Sequence, residues 1–251
     1  EHVFLANSLQ QGFIYHSINQ GDIDDAYRTQ LIWEYQGSVN EKKLKDAWIK
    51  TQQKYPSLRI RFSWEEELVQ IIDKEGSIDW RYSDITSLSK KEQEQYLEEL
   101  LKQDQAESYD LSEGNLFRLY LVKRNDSFYT CIFNNHHAIL DGWSNPILLM
   151  YVHNTYLNLL KDESVYPVID SSYPNAQRYL QDNREQHLNF WEEYLAPIES
   201  NEDLSSLLKP HQRHIALSDY KHIQEPQDLE LSLEKDIYKS LKDICISHGV
   251  T

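Results

Sequence analysis

The segment FYTCIFNNHHAILDG, residues 128–142, decides how this chain folds and where its chemistry lies. Its first half is rich in β-branched and aromatic residues, which predicts a strand. Two adjacent imidazoles, His136 and His137, follow, and the carboxylate of Asp141 comes four residues later, just before Gly142. Because successive strand side chains point to opposite faces, only one histidine can face a reactant if the strand continues that far. We expect the other histidine to pack or orient, and Asp141 to fix the turn by a salt bridge or hydrogen bonds.

The composition excludes several classes of protein. The 251 residues include 25 Lys and Arg against 41 Asp and Glu, a net charge of −16. No cluster of basic residues stands out that could follow a phosphate backbone, so we expect no nucleic-acid partner. No apolar run approaches the ~18 residues of a membrane span, and no signal region opens the chain, which predicts a cytoplasmic protein without a membrane partner. Cys131 and Cys245 are expected to be buried thiols.

Helical and strand-like patterns alternate along the chain, which predicts a mixed α/β domain. Strands are predicted at residues 29–35, 58–62, 68–72, 116–122, 128–134 and 229–233. Helices are predicted after an N-cap at Asn40, after a capping box at 89–92, and over 147–160, 190–195 and 237–246. Ser144 or Asn145 is the expected cap of the helix over 147–160. Five polar residues separate the strands at 116–122 and 128–134, which favours an antiparallel hairpin.

The two histidines could serve several kinds of chemistry. His137 and Asp141 have the spacing of two metal ligands on one helix face, but Gly142 and Pro146 argue against a helix there, and no third ligand has a recognisable spacing. We therefore predict no metal site. The chain has no Gly-x-Ser-x-Gly nucleophile elbow and no phosphate-cradling glycine loop. Two interpretations of the histidines remain. Either the pair is structural and ends a strand, or one imidazole serves acyl transfer between two bound substrates.

The residues 136–144, HHAILDGWS, match the HHxxxDGxS core motif of the condensation domains of nonribosomal peptide synthetases at each defined position. The chain therefore resembles this family, which belongs to the chloramphenicol acetyltransferase-like superfamily. The segment SLQQGFIYH, residues 8–16, is similar to the opening motif in the variant of domains that accept a D-configured donor. The segment YPNAQRY, residues 173–179, looks like a degraded YxDFAxW motif, and Trp191 lies where the family's next helix usually has a tryptophan.

A second family motif contains the two arginines of the strand predicted at residues 58–62. The segment KYPSLRIRF, residues 54–62, is similar to the RHExLRTxF motif, with Lys54 in place of the first arginine. In this family an arginine from that region holds the motif aspartate. The resemblance therefore leaves three candidate partners for Asp141, namely Arg59, Arg61 and Lys54.

The resemblance implies a fold of two lobes with a tunnel between them, each lobe a mixed or antiparallel sheet flanked by helices. Residues 1–170 would form the N-terminal lobe with the core motif. Residues 171–251 would form an inter-lobe helix, a connector and the beginning of an incomplete C-terminal lobe. Donor and acceptor carrier domains would deliver substrates on 4′-phosphopantetheine arms, beside an adenylation domain of the same synthetase. No cofactor would be bound by the chain directly.

The resemblance also assigns roles to site residues. His137 would be catalytic, either as general base or by hydrogen bonding to the amine and the charged intermediate. His136 would orient the loop, Asp141 would be structural, and Gly142 would leave room for the pantetheine or acyl group. The remaining candidates for the substrate tunnel are Gln10, Gly12, Trp143 and Ser144. Two alternatives stay open: an epimerization domain of the same superfamily, and a non-catalytic platform that docks carrier or tailoring proteins.

Overall fold

The computed structural model describes residues 2–20, 26–198 and 229–250. The chain divides into two compact units, residues 1–203 and 204–251, and each is described by itself. Among its described residues, the first unit has seven strands and six α-helices. In chain order they are β1 (His2–Leu5), α1 (Ser8–Gln20), β2 (Arg28–Gln36), α2 (Glu41–Lys54), β3 (Ile60–Ser63), β4 (Val69–Ile72), β5 (Asp79–Asp84), α3 (Lys90–Ala106), β6 (Phe117–Asn125), β7 (Phe128–His136), α4 (Ser144–Leu160), α5 (Ser172–Asp182) and α6 (Arg184–Leu195).

The strands of the first unit form two sheets. The longer sheet has the order β2-β7-β6-β5, in which β2, β7 and β6 are antiparallel neighbours and β5 joins β6 in parallel. The shorter sheet has the order β1-β4-β3 and is antiparallel throughout. The predicted mixed domain of strands and flanking helices is therefore confirmed, although the chain forms two sheets where we expected one.

The centre of the longer sheet is the predicted hairpin of β6 and β7. Leu119 pairs with Phe133 and Leu121 with Cys131, and these side chains are fully buried. Because β7 has a neighbour on each side and is buried on both faces, its apolar residues 131–133 are consecutive instead of alternating with polar ones, and the polar residues 134–136 that follow are buried as well. Trp48 of α2 stacks on Phe133 with ring centroids 5.1 Å apart, which anchors the helix on this strand.

Local signals set the ends of two helices as predicted. The side chain of Asn40 accepts a hydrogen bond from the backbone N–H of Lys43 and caps α2, which ends at Lys54 before a 3-10 turn over Pro56–Arg59. Ser89 and Glu92 form the capping box of α3. The N-cap position of α4 differs from the prediction, because Ser144 is already its first helical residue.

In the second unit, one of the two predicted elements is found and the other is not. The helix predicted over 237–246 is confirmed as α7 (Lys235–His248), but the strand predicted at residues 229–233 is not formed with any described segment. A strand needs a hydrogen-bonded neighbour, and the described residues of this unit, 229–250, provide only α7. Cys131 is a buried thiol as expected, whereas Cys245 is half-buried. The predicted connector lies largely outside the described residues, and the lobe boundary at residue 170 stays a prediction.

Candidate active site

The two histidines lie where β7 ends. His136 is the last residue of the strand, and its backbone N–H donates to the carbonyl of Leu116 at 3.0 Å. The backbone N–H of His137 donates instead to the carbonyl of Tyr27, just before β2, at 2.8 Å. The chain turns immediately afterwards, with the N–H of Ile139 bonded to the carbonyl of His136. The two imidazoles therefore have different surroundings, although they are adjacent in sequence.

The His136 side chain is buried, with 4% of its surface exposed. Its Nδ1 accepts a hydrogen bond from the backbone N–H of Ala138 at 3.1 Å, and its Nε2 lies 3.2 Å from the hydroxyl of Ser17 on α1. Burial lowers the pKa of His136 to about 4, with further contributions from the neighbouring His137 and Arg28. The ring is therefore neutral near pH 7.

A pH dependence of stability follows from this burial. As the pH falls, the unfolded chain protonates its imidazole near about pH 6.5, while folded His136 stays neutral down to about pH 4. The free energy of unfolding should therefore fall across this window, with a slope of at most ~1.4 kcal/mol per pH unit from this group. Urea titrations between these pH values will measure the slope for the wild type and for His136→Gln. Equal slopes would show that His136 does not titrate as described.

The His137 side chain is half-buried and lies against α1. Its ring centroid is 5.3 Å from that of Phe13, which in turn lies 4.6 Å from Tyr27. Within the described part of the chain, the Nδ1 atom of His137 is buried and has no hydrogen-bond partner. Nε2 is therefore the ring nitrogen available to a reactant. The sequence analysis missed Phe13, Tyr27 and Ser17, although Phe13 and Ser17 have the spacing of one helix face and would have been grouped had α1 been recognised as a helix.

Asp141 is exposed and bonded locally. Its Oδ1 accepts hydrogen bonds from the backbone N–H of Ser144 at 2.8 Å and from the Ser144 hydroxyl at 2.6 Å. These bonds lower the pKa of the Asp141 carboxyl. The carboxylate supplies the cap of α4 that we had assigned to Ser144 or Asn145, because a side chain just before the helix can reach its unpaired first N–H groups.

The predicted ion pair of Asp141 is not formed in the described part of the chain. Arg59 is buried and donates to the carbonyls of Gln52, Gln53 and Asp73. The other two candidates are also engaged elsewhere: Arg61 pairs with the Asp73 carboxylate at 3.0 Å, and the Lys54 ammonium lies over the rings of Tyr55 and Tyr151. Arg59 directly precedes β3 of the shorter sheet and Arg61 lies within it, whereas Asp141 follows β7 of the longer sheet. Alternation along residues 58–62 could not reveal this.

Removal of the cap should have a modest effect. We expect Asp141→Ala to lower the free energy of unfolding by about 1 kcal/mol, as at other N-caps, and Asp141→Asn to lose less because its amide oxygen still accepts. Since the folded pKa of Asp141 is lowered, its charge contributes above about pH 4, and the contribution is lost as the pH falls below that value. Denaturant unfolding of both variants is the measurement. A loss of about 3 kcal/mol or more for Asp141→Ala would instead indicate a buried ion pair.

A buried polar network contacts the end of β7 close to His136. It was not predicted from the sequence. Asp104 at the end of α3 is buried and accepts hydrogen bonds from Arg118, Gln30 and Tyr120, and from Asn134 two residues before His136. The hydroxyl of Tyr109 donates to Asn134 at 2.8 Å. The ring of Tyr109 packs edge-on against His136, with centroids 6.3 Å apart. The end of β7 is thus stabilised by the buried hydrogen bonds of Asn134 to Asp104 and Tyr109.

The whole chain, residues 1–251, matches the family model of the condensation domain. The chain belongs to the condensation domain family. The resemblance found in the core motif is thereby confirmed.

Curated relatives are much longer proteins. The chain is 39% identical over its whole length to N-(5-amino-5-carboxypentanoyl)-L-cysteinyl-D-valine synthase of Penicillium rubens, and it spans 7% of that protein. It is 40% identical over 98% of its length to the synthase of the same name from Amycolatopsis lactamdurans, again spanning 7%. Bacitracin synthase 3 of Bacillus licheniformis is 28% identical over the whole chain, which spans 4% of it.

Solved structures share the fold. The starter condensation domain of the rhizomide synthetase RzmA superposes with a TM-score of 0.66 at 17% identity, covering 80% of this chain and 52% of that one. A four-domain nonribosomal peptide synthetase, AB3403, superposes with a TM-score of 0.58 at 22% identity, covering 78% of this chain and 15% of that one. At such identities the likeness supports the fold alone.

The remaining tunnel candidates of this condensation domain have different environments. Gln10 is buried, and its amide bonds the Ala138 carbonyl, Gln70 and Tyr173, so its expected place in a tunnel lining is not supported. Gly12 and Gly142 are exposed, and an added Cβ would meet nothing within 4 Å at either. The Trp143 side chain is 86% exposed. Glycine at 142 is thus not required by neighbours within the described chain.

Two structural findings concern metals and membranes. Among the residues that the structure describes, no group of three or more His, Cys, Asp and Glu side chains could hold a metal ion. Within the same residues, no helix is long and apolar enough to cross a membrane.

Proposed function

We propose that this chain takes part in amide-bond formation in nonribosomal peptide synthesis, by acyl transfer from a carrier-bound donor thioester to a carrier-bound acceptor amine. The observation that carries the proposal is the placement of His137. Its imidazole follows the central strand directly, is steadied by the ring of Phe13, and has Nδ1 buried and Nε2 available. Such an imidazole can serve a reaction whose nucleophile comes with the substrate.

The chemistry requires one bond to form and one to break. The acceptor nitrogen attacks the thioester carbonyl carbon, a tetrahedral intermediate carries negative charge on oxygen, and the C–S bond then breaks. The proton lost by the amine ends on the departing thiol. The enzyme must therefore orient two substrates and stabilise charge on the intermediate.

The surroundings of His137 favour hydrogen-bond donation over proton abstraction. To act as a base, Nε2 must be unprotonated, so Nδ1 must carry the proton in a buried position without an acceptor. A buried donor left unpaired costs about 1–3 kcal/mol. Among backbone groups, buried N–H donors without a partner are rarer than carbonyl acceptors without one, and we extend this preference to the ring nitrogens. We therefore assign the proton to Nε2, which can donate a hydrogen bond to the negatively charged oxygen of the intermediate.

The proposal extends to partners. Donor and acceptor peptidyl carrier domains would present the substrates on 4′-phosphopantetheine, and an adjacent adenylation domain would supply the activated amino acid. Exposed Trp143 and the open backbone at Gly142, which follow His137 within six residues of the chain, offer a surface for these arms or their acyl groups. Selectivity for a D-configured donor, suggested by residues 8–16, and a cytoplasmic location remain parts of the proposal.

One assay tests this function against its alternatives. Donor and acceptor carrier proteins loaded with aminoacyl groups are mixed with the full-length protein, and the products are identified by mass spectrometry after release. We expect the dipeptide, and a D-donor should react faster than its L-enantiomer. A racemised donor without dipeptide would indicate an epimerization domain. No change in either substrate would favour a docking platform and overturn the proposal.

A further inference from the structure

The hydrogen bonds of His136 determine where its proton lies. The backbone N–H of Ala138 can only donate, so Nδ1 of His136, 3.1 Å away, must accept and cannot carry a proton in the neutral ring. The proton of the neutral imidazole is then on Nε2. That nitrogen lies 3.2 Å from the Ser17 hydroxyl, which accordingly accepts the bond.

Among the described residues, no other side chain is placed to accept this proton. Tyr109 and Tyr27 approach the ring of His136 through their own rings, at centroid distances of 6.3 and 6.5 Å. The Tyr109 hydroxyl donates elsewhere, to Asn134. Ser17 is therefore the polar contact that α1 provides to the end of β7.

We propose that Ser17 is a positioning residue, whose hydroxyl accepts the Nε2–H of His136 in the tautomer that the Ala138 N–H sets, and thereby fixes the ring and the backbone that presents His137. The link runs through Ala138, because its N–H bonds to Nδ1 only in that tautomer. If the ring changed tautomer, two N–H groups would face each other and the turn from His136 to Ala138 would shift. The effect on catalysis rests on the proposed function, whereas the tautomer does not.

The test compares three variants in two measurements. Ser17→Ala removes the hydroxyl, Ser17→Thr keeps it, and Ser8→Ala makes the same change at an exposed position of the same helix. The first measurement is ¹⁵N NMR of histidine-labelled chain, in which His136 is assigned by its absence in His136→Gln. The second is single-turnover condensation by the full-length protein.

We expect the wild type, Ser17→Thr and Ser8→Ala to show a protonated Nε2 and an unprotonated Nδ1 for His136. Ser17→Ala should keep this tautomer but shift the Nε2 resonance of His136, because that N–H loses its acceptor, and should lower the maximal single-turnover rate by about 10- to 100-fold, the scale of a displaced catalytic group. An unchanged His136 spectrum in Ser17→Ala would overturn the proposal, as would an equal loss in Ser17→Thr. A wild type that forms no dipeptide yet shows the expected spectra would overturn the proposed function alone.

Discussion

Replacing His137 by alanine in the full-length protein is expected to reduce the single-turnover rate of dipeptide formation by about 10²–10³-fold, the usual effect of losing a donor to an oxyanion. Folding should change little, because the side chain is half-buried, packs on Phe13 and has no hydrogen bond to lose. Circular dichroism and denaturant unfolding will verify the fold. Rapid quench of loaded carrier proteins will give the rate.

Two further variants make the result specific. His137→Gln keeps an N–H donor but cannot act as a base, so it should retain more activity than His137→Ala. His187→Ala removes another half-buried histidine and should leave the rate unchanged. His187 lies on α6 and contacts the ring of Tyr179 on α5. If His137→Gln is as inactive as His137→Ala, the imidazole is a base and our assignment of its proton is wrong.

The parts of the fold that local sequence controls could be predicted. The hairpin of β6 and β7 was evident because each strand contains a run of apolar residues, 119–122 and 131–133, and such runs are typical of buried central strands. The helix caps at Asn40 and Ser89 involve residues within three positions of each other, so their pattern is complete within a short window. The core motif identified the family because all of its defined positions lie within the nine consecutive residues 136–144.

Long-range polar contacts could not be predicted. Gln10 bonds to Ala138, 128 residues away, and nothing in its own motif distinguishes this buried role from a tunnel lining. Strand β5, with the sequence DWRYSD, has too many polar residues to read as a strand, and its parallel neighbour β6 stabilises it. Both outcomes depend on which distant segments meet, and the alternation of residues carries no such information.

The buried carboxylate of Asp104 is the polar group whose loss should destabilise the fold most. Its side chain is inaccessible to solvent, its Oδ1 lies 2.9 Å from Nε of Arg118, and all of its described side-chain partners are donors. Asp104→Asn removes the charge and places an NH₂ group among those donors. Because it leaves the buried Arg118 guanidinium with only the more distant and partly exposed Glu107 as a counter-charge, we expect the free energy of unfolding to fall by about 3–5 kcal/mol.

Glu107 provides the matched control, because it approaches the same arginine at 3.7 Å while its side chain is 44% exposed. Glu107→Gln should cost less than about 1 kcal/mol, since water screens exposed ion pairs. Urea unfolding of both variants, compared with the wild type, measures the difference. If Asp104→Asn costs no more than Glu107→Gln, water reaches the network, and the end of β7 is not held by Asp104. A large gap would instead show that the strand leading to His136 depends on one carboxylate that joins α3 to β2, β6 and β7.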